Sequence, residues 1–192
     1  MRVRTADPVR DAERVAEIYR PHVVETLTSF EAVAPTTAEM GERIRSTLEW
    51  TPWLVALDEN DRVIGYAYAS RHRERAGYRW SVDISVYVDW DWQRKGVGRA
   101  LYAELIPILR RQGFVNVYAG VAWPNPGSVG LHESLGMTLI GVYEKVGFKF
   151  GEWPDVAWYG MTLAEHSEMP PEPIPFPDLG DFSPNATGTG AK

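Results

Sequence analysis

Cysteine is absent from the 192 residues of this sequence. Its absence excludes disulfide bonds, thiolate nucleophiles and metal sites built on cysteine. Histidine is scarce too, because the chain has only four, and their spacing matches no metal-binding motif. The sequence therefore predicts a protein without a metal site.

Long apolar runs and an excess of positive charge are also missing. No apolar stretch approaches the length of a membrane span, and the residues that follow Met1–Thr5 are too polar for the core of a secretory signal. We therefore expect a cytoplasmic protein. The formal net charge of -6 argues against nucleic acid or an anionic membrane surface as the main partner. Any anionic ligand must instead meet a local group of basic residues.

The composition is sufficient for one domain with a substantial core, since 44% of the residues are hydrophobic. Beyond His166 the composition changes, and six prolines follow between Pro170 and Pro184. We interpret residues 1–165 as the domain and residues 166–192 as a proline-rich tail that is mobile or extended. The tail contains the glycosylation acceptor pattern Asn185-Ala186-Thr187, which we interpret as unused because a secretory signal is lacking.

Capping residues, glycines and hydrophobic spacing predict alternating helices and strands. The predicted helices are 8–21, 36–48 with a capping box of Thr36 and Glu39, 96–112 with a kink at Pro107, and 125–136. The predicted strands are 53–57, 62–70, 78–88, 115–122, 138–148 and 156–163. The first two strands are expected to form an antiparallel hairpin.

The segment Gln93-Arg94-Lys95-Gly96-Val97-Gly98-Arg99 carries the strongest functional signal. It lies between a predicted strand and the beginning of a helix, where unpaired backbone N-H groups and the helix dipole favour a pyrophosphate. A strand-to-helix connection with a basic surface remains open as the alternative. Rossmann and phosphate-loop NTPase sites are less favoured, because the glycine fingerprint of the first and the Lys-Ser/Thr pair of the second are missing.

Two motifs together resemble those of the GNAT acyltransferase superfamily. Gln93-x-x-Gly96-x-Gly98 matches the acetyl-CoA motif Gln/Arg-x-x-Gly-x-Gly/Ala, and Asn125 precedes a helix that ends in Leu131-His132-Glu133-Ser134-Leu135-Gly136-Met137. Within the superfamily, the sequence is most similar to the phosphinothricin and methionine sulfoximine N-acetyltransferases. That similarity covers residues 2 to about 165, and it is carried by Thr28-Ser29-Phe30, 52–56, Ser85-Val86-Tyr87-Val88 and 147–156.

The resemblance implies an α/β (α+β) fold with a mixed, mostly antiparallel central sheet flanked by helices. It also implies acetyl-CoA as the cosubstrate and a homodimer. The pantetheine arm would pair with Val86, Tyr87 and Val88 and would bond to Asn125, whose alternative role is only to cap its helix. The pyrophosphate would be held by Gln93, Arg94, Lys95, Gly96, Val97, Gly98 and Arg99.

Amine acetylation needs a base, because a primary amine is mostly protonated near neutral pH. Asp83 stands where the resembled enzymes carry a glutamate base, and its shorter side chain implies direct transfer, transfer through water or only orientation of the ammonium group. A strand carboxylate without catalytic function is the alternative. His132 stands where many members of the superfamily place a tyrosine, and it is a candidate to protonate the leaving sulfur or to bind substrate. The alternative is a packed polar residue on a helix.

Residues that match the substrate pocket of the resembled group are Phe30, Arg73, Arg75, Tyr78 and Tyr102. Guanidinium groups suit a carboxylate or phosphinate, and aromatic faces exclude water from the reacting amine. We therefore expect acetylation of the amine of a small amino-acid-like substrate by direct attack on the thioester, with antibiotic or herbicide resistance as the outcome. The alternatives are acetylation of polyamines or of peptide and protein amines, and a non-catalytic acyl-CoA-binding sensor.

Overall fold

One sheet carries the fold in the computed structural model, which describes residues 1–180. The strands are β1 (Arg2–Thr5), β2 (Trp53–Leu57), β3 (Val63–Arg71), β4 (Ser81–Val88), β5 (Asn116–Trp123), β6 (Thr138–Tyr143) and β7 (Asp155–Thr162). The helices are α1 (Ala12–Val24), α2 (Thr37–Leu48), α3 (Val97–Gln112) and α4 (Pro126–Ser134). The short β1 has no counterpart among the predicted strands, because its four residues are too few to show a clear alternation.

The strand order is β1-β2-β3-β4-β5-β7-β6, and neighbours run antiparallel except β4 and β5, which run parallel. The predicted mixed, mostly antiparallel sheet is thus confirmed. β4 and β5 pair only where Ser81, Val82 and Asp83 meet Asn116, Val117 and Tyr118. Beyond these pairs β4 continues along β3, and β5 continues along β7. The carboxyl-terminal halves of β4 and β5 therefore separate and bound a cleft.

The two faces of the sheet carry separate hydrophobic cores. The core on the α3 side includes Val82 and Ile84 of β4 with Leu101, Leu105 and Ile108 of α3. The core on the α1 and α2 side includes Val15, Ile44 and Tyr66, and Tyr87 packs against it. Because alternate residues of a strand point to opposite faces, Asp83 shares the α1 and α2 side with Tyr87.

Local signals begin and end the helices close to the expected residues. The Thr36 hydroxyl accepts a hydrogen bond from the backbone N-H of Glu39, whose carboxylate accepts one from the N-H of Thr36. This capping box begins α2 as predicted. Gly96 and Gly113 take left-handed backbone conformations, with φ of 82° and 89°, at the two ends of α3.

Two predicted strand ends differ from the structure. β4 begins at Ser81 rather than at Tyr78, because Ala76–Tyr78 forms a short 3-10 helix. β6 ends at Tyr143 rather than at Phe148, because the chain turns at Lys145, whose φ is 49°. The connection to β7 therefore leaves the sheet and exposes Phe148 and Trp153.

The tail that follows the domain is bound to it as far as the structure describes the chain. The backbone N-H of Ile174 donates to the carbonyl of Gln112 at 2.7 Å, and the Gln112 side-chain amide donates back to the Ile174 carbonyl at 2.9 Å. The backbone N-H of Phe176 donates to the Trp50 carbonyl, and Phe176 and Leu179 pack against the α3-side core. Proline content alone gave no sign of these contacts. Residues 181–192, which include the acceptor Asn185, lie outside the described residues.

We predict that ending the chain after Glu168 lowers the melting temperature by about 5 to 10 °C. The truncation removes Phe176 and Leu179, which pack against the core, and leaves the buried Gln112 amide without its Ile174 partner, which costs about 2–4 kcal/mol. Calorimetry is the measurement. A chain that ends after Gly180 is the control, because it keeps every described contact, and equal melting temperatures for the two truncations would contradict the prediction.

Candidate active site

A cavity of about 570 Å³ lies against the turn between β4 and α3. No side chain in the described structure caps the beginning of α3, so the N-H groups of its first turn remain open to a ligand. A Cβ on Gly96 would meet only open space, whereas a Cβ on Gly98 would lie 3.0 Å from Leu131 Cδ2 and 3.6 Å from Val86 Cγ2. Gly98 therefore also allows α3 to approach α4 closely.

The structure brings most of the sequence-predicted cofactor residues together at this cavity. Val86, Tyr87, Val88, Gln93, Arg94, Gly96, Val97, Gly98, Arg99 and Asn125 line it. Lys95 is not among the described lining residues, and its ammonium nitrogen lies 5.1 Å from the centre of the Trp92 ring. The Asn125 side chain accepts a hydrogen bond from the backbone N-H of Ser128 at 3.0 Å, so one residue both caps α4 and lines the cavity.

Several wall residues escaped sequence reasoning. They are His22, Thr26, Thr28, Trp90, Trp92, Gly127, Ser128 and Leu131. Thr28 and Leu131 lay in segments that carried the resemblance, but neither was singled out as a site residue. His22 and Thr26 follow no local pattern, because the end of α1 reaches the turn only through the folding of the whole sheet. Trp90, Trp92, Gly127 and Ser128 are close in sequence to predicted cofactor residues, but no motif marked them.

A narrower cleft of about 50 Å³ continues between the separated halves of β4 and β5. Its walls are Ile84, Ser85, Val86 and Tyr87 from β4, Gly120, Val121 and Ala122 from β5, and Thr28, Tyr102, Asn125, Ser128 and His132. Val86, Tyr87 and Asn125 belong to both spaces. A long, thin ligand can therefore extend from the glycine turn into the sheet.

His132 and Tyr102 meet at the wall of this cleft. His132 is only 3% exposed, and its Nδ1 lies 2.7 Å from the Ser128 carbonyl oxygen, while Nε2 lies 3.4 Å from the Tyr102 hydroxyl oxygen. Burial lowers the pKa of His132, against the effect of its bond to Ser128, and burial raises the pKa of Tyr102. A neutral His132 thus donates from Nδ1 to Ser128 and accepts from Tyr102 at Nε2.

Asp83 forms a hydrogen-bonded pair with His72, which sequence reasoning missed. The Oδ1 atom of Asp83 lies 2.6 Å from Nδ1 of His72, and the two side chains are 23% and 16% exposed. Burial raises the pKa of Asp83, although the hydrogen bond from His72 and the charges of His72 and Arg73 act in the opposite direction. The antiparallel register that sets Ser70 opposite Asp83 brings the following His72 to this side chain.

Aromatic rings surround the pair. The His72 ring lies 4.6 Å from the ring of Tyr118, 5.8 Å from that of Tyr78 and 6.0 Å from that of Trp158. Tyr78 was predicted from the sequence, whereas Tyr118 and Trp158 were not. Together they form an aromatic cluster around the partly buried pair, next to the last β4–β5 residue pair.

The remaining predicted substrate residues fall into separate places. The Arg73 guanidinium donates to the His72 carbonyl at 2.6 Å and lies 5.9 Å from the Trp158 ring, so it borders the pair. Arg75 is exposed and precedes the Ala76–Tyr78 helix.

The two other predicted aromatic residues lie away from the pair. Phe30 lies against Gly147, where a Cβ would come within 2.3 Å of the Phe30 ring. Tyr102, predicted to bind substrate, is placed with His132 on the α3 side of the sheet instead.

Comparison with protein families identifies this arrangement. Residues 5–158 match the family described as an acetyltransferase (GNAT) domain. The chain belongs to the GNAT acetyltransferase family. The GNAT enzymes are N-acetyltransferases that use acetyl-CoA, and this chain is therefore an N-acetyltransferase with acetyl-CoA as its cosubstrate.

Individual GNAT relatives cover most of the chain. The phosphinothricin N-acetyltransferase of Streptomyces viridochromogenes is 34% identical over 165 residues, which are 86% of this chain and 87% of the relative. The L-methionine sulfoximine/L-methionine sulfone acetyltransferase of Salmonella typhimurium is 36% identical over 168 residues, which are 87% and 97% of the two chains. A GNAT superfamily phosphinothricin acetyltransferase from Sinorhizobium meliloti, solved in complex with AcCoA, has a TM-score of 0.85 at 36% identity and covers 92% of this chain and 96% of its own.

Acetyl-CoA fits the two connected spaces. The open beginning of α3, with Arg94 and Arg99 beside it, suits the pyrophosphate, and the cleft between β4 and β5 suits an extended pantetheine arm. Among residues 1–180 no group of three or more acidic or histidine side chains is placed to bind a metal ion. Within the same residues, no helix combines the length and the apolar character that a membrane crossing requires.

We predict that Arg94→Gln weakens acetyl-CoA binding about five- to tenfold, because a partly solvated charged hydrogen bond is lost. The matched control is Lys95→Gln, which removes the same charge one residue away but outside the cavity, and we expect less than a twofold change. Titration calorimetry measures both. Equal losses in the two variants would show that the effect is only long-range charge.

Proposed function

We propose that this enzyme acetylates the α-amine of a small amino-acid-like substrate of the phosphinothricin or methionine sulfoximine type. The observation that carries the proposal is the Arg73 guanidinium beside the Asp83–His72 pair within an aromatic enclosure. An α-amino acid places a carboxylate next to an amine, and this site places a cation next to a basic pair. The names of the relatives support the same substrate class.

The first chemical requirement is removal of a proton from the substrate ammonium group, and the Asp83–His72 pair is the basic group nearest the last β4–β5 pair. The free amine then attacks the thioester carbon. The oxyanion that forms accepts a hydrogen bond from an N-H in Val86–Val88 on the edge of β4 that faces the cleft, because β5 no longer pairs there. That N-H is fixed by the sheet and needs little reorganisation.

The second requirement is a proton for the leaving thiolate. The sequence offered His132 either for this role or for substrate binding, but its Nδ1 is bonded to the Ser128 carbonyl and its lowered pKa keeps it neutral at neutral pH. Its Nε2 therefore has no proton to give. Tyr102 also lines the cleft, and its raised pKa keeps the hydroxyl protonated, so Tyr102 is the other candidate to donate a hydrogen bond to the leaving sulfur, with His132 beside it.

We predict that Arg73→Gln with Arg75→Gln lowers kcat/KM for carboxylate-bearing amines at least tenfold relative to the same amines without the carboxylate. Loss of even one charged hydrogen bond, about 1.5–3 kcal/mol, gives such a factor. Arg71→Gln is the matched control, because Arg71 lies over Trp50, 5.2 Å from its ring centre. Thiol release is measured with amino acids, their phosphinate and sulfoximine analogues, polyamines and peptides. Preference of the unmodified enzyme for a polyamine or peptide would reject the amino-acid proposal.

A homodimer is the second part of the proposal. β6 forms an edge of the described sheet, and its side chains Leu139, Ile140, Val142 and Tyr143 are each at least 42% exposed. The loop that follows adds the exposed Phe148, Phe150 and Trp153. An apolar patch of this kind along a free strand edge favours burial against a second copy. Cytoplasmic location and a role in resistance stay predictions.

We predict that Val142→Lys makes the enzyme monomeric, because it introduces a charge into the apolar face of β6. Val33→Lys is the matched control: it makes the same change at a residue that is 78% exposed in the connection between α1 and α2. Sedimentation velocity distinguishes the two. A dimer that survives Val142→Lys, or an unmodified protein that is monomeric at micromolar concentration, would contradict this assignment.

A further inference from the structure

We infer that His72 accepts the proton from the substrate amine and that Asp83 is the positioning residue that orients its ring. This assignment rests on the proposed function and adds a catalytic residue to it. It reverses the role that the sequence alone gives to Asp83.

The hydrogen bond between the two side chains fixes the state of the ring. A carboxylate only accepts, so His72 Nδ1 carries the hydrogen that occupies the 2.6 Å contact with Asp83 Oδ1. In the neutral ring Nε2 then carries the free lone pair. Within residues 1–180 no hydrogen-bond partner of Nε2 is found, and the side chain is 16% exposed. The lone pair therefore remains available to a substrate.

The placement of Arg73 also favours Nε2 of His72 as the atom that accepts the proton. Its guanidinium donates to the backbone carbonyl of His72 at 2.6 Å, so the base and the cation come from consecutive residues. In an α-amino acid the amine and the carboxylate are attached to the same carbon. A substrate whose carboxylate pairs with Arg73 would therefore bring its amine to the neighbouring ring rather than to the carboxylate behind it.

The groups that face His72 from every neighbouring element allow this role. Asp83 of β4 faces Nδ1, Tyr118 of β5 and Trp158 of β7 contact the ring, and Tyr78 closes the side formed by the 3-10 helix. Arg73 is the nearby cation. The imidazolium formed by proton transfer is thus stabilised by one carboxylate and opposed by one guanidinium.

The proton balance closes without another reactant. The ammonium group has three hydrogens and the product amide has one. One proton passes to His72 Nε2 before attack and leaves to solvent. The C-N bond then forms and the C-S bond breaks, the sulfur keeps the bonding electron pair, and the second proton from nitrogen ends on that sulfur.

The test compares His72→Asn with the unmodified enzyme. Asparagine places an amide donor near the position of Nδ1, so it can keep the bond to Asp83 while Nε2 is lost. We expect kcat/KM to fall by about 10²–10⁴ with acetyl-CoA affinity unchanged. The loss should shrink for a β-fluorinated amino acid, whose amine has a lower pKa and needs less help to lose its proton. His166→Asn, the same change at an exposed histidine, should have no effect.

The pH profile separates the two members of the pair. Proton transfer needs an unprotonated Nε2, so kcat/KM has an acidic limb. Asp83→Asn removes the charge that stabilises the imidazolium but leaves His72 in place, so kcat/KM should fall less than in His72→Asn and the acidic limb should remain. The assignment is overturned if His72→Asn keeps a third or more of the unmodified kcat/KM, if its loss does not depend on the amine pKa, or if the acidic limb vanishes in Asp83→Asn.

Failure of this assignment differs from failure of the proposed function. The unmodified enzyme is first tested for its preferred amine, and the variants are then measured with that amine. If the preferred amine lacks a carboxylate, the substrate proposal fails, and the dependence of the His72→Asn loss on amine pKa still decides the role of His72.

Discussion

β4 and β5 are joined by only three residue pairs, and the active site depends on where that pairing stops. Up to Asp83 and Tyr118 the strands share hydrogen bonds and form a continuous sheet. Beyond them, the inner edge of β4 faces a cleft, and its N-H groups can bind a ligand instead of a neighbouring strand. Because Asp83 is the last β4 residue in the pairing, its side chain lies where the cleft begins. The cleft and the Asp83–His72 pair therefore adjoin each other at the point where the β4–β5 pairing stops.

The charges at the two ends of the cleft differ from the charge of the protein as a whole. The protein is acidic as a whole, with a net charge of -6, yet the turn that begins α3 combines the positive end of a helix with Arg94 and Arg99. An anionic cosubstrate is thus attracted to one place on a repelling surface. At the other end of the cleft, the partly buried Asp83 keeps a raised pKa, and the interaction with His72 offsets part of the cost of burying it.

Sequence signals that act within a few residues predicted the structure well. The capping box at Thr36, the glycine turn at Gly96 and the Asn125 cap depend on neighbours along the chain, and each lies where expected. His72 and Tyr118 could not be identified in this way, because they meet Asp83 only through strand pairing. The contact of Tyr102 with His132 could not be identified for the same reason, because it depends on how α3 packs against the sheet. Long-range pairing, rather than local pattern, decides these positions.

The contacts of the tail with the end of α3 also have a practical meaning for the use of this enzyme. The sixteen residues of α3 span about 24 Å, with the glycine turn at Gly96 at one end and the Gln112–Ile174 bonds at the other. The described chain leaves the domain beside Leu179, whose carbonyl accepts a hydrogen bond from Arg111 near that far end. A surface linkage at Gly180 of a chain that ends there would thus lie about a helix length away from the cavity at the beginning of α3. Enzyme immobilised in this way should keep that cavity accessible.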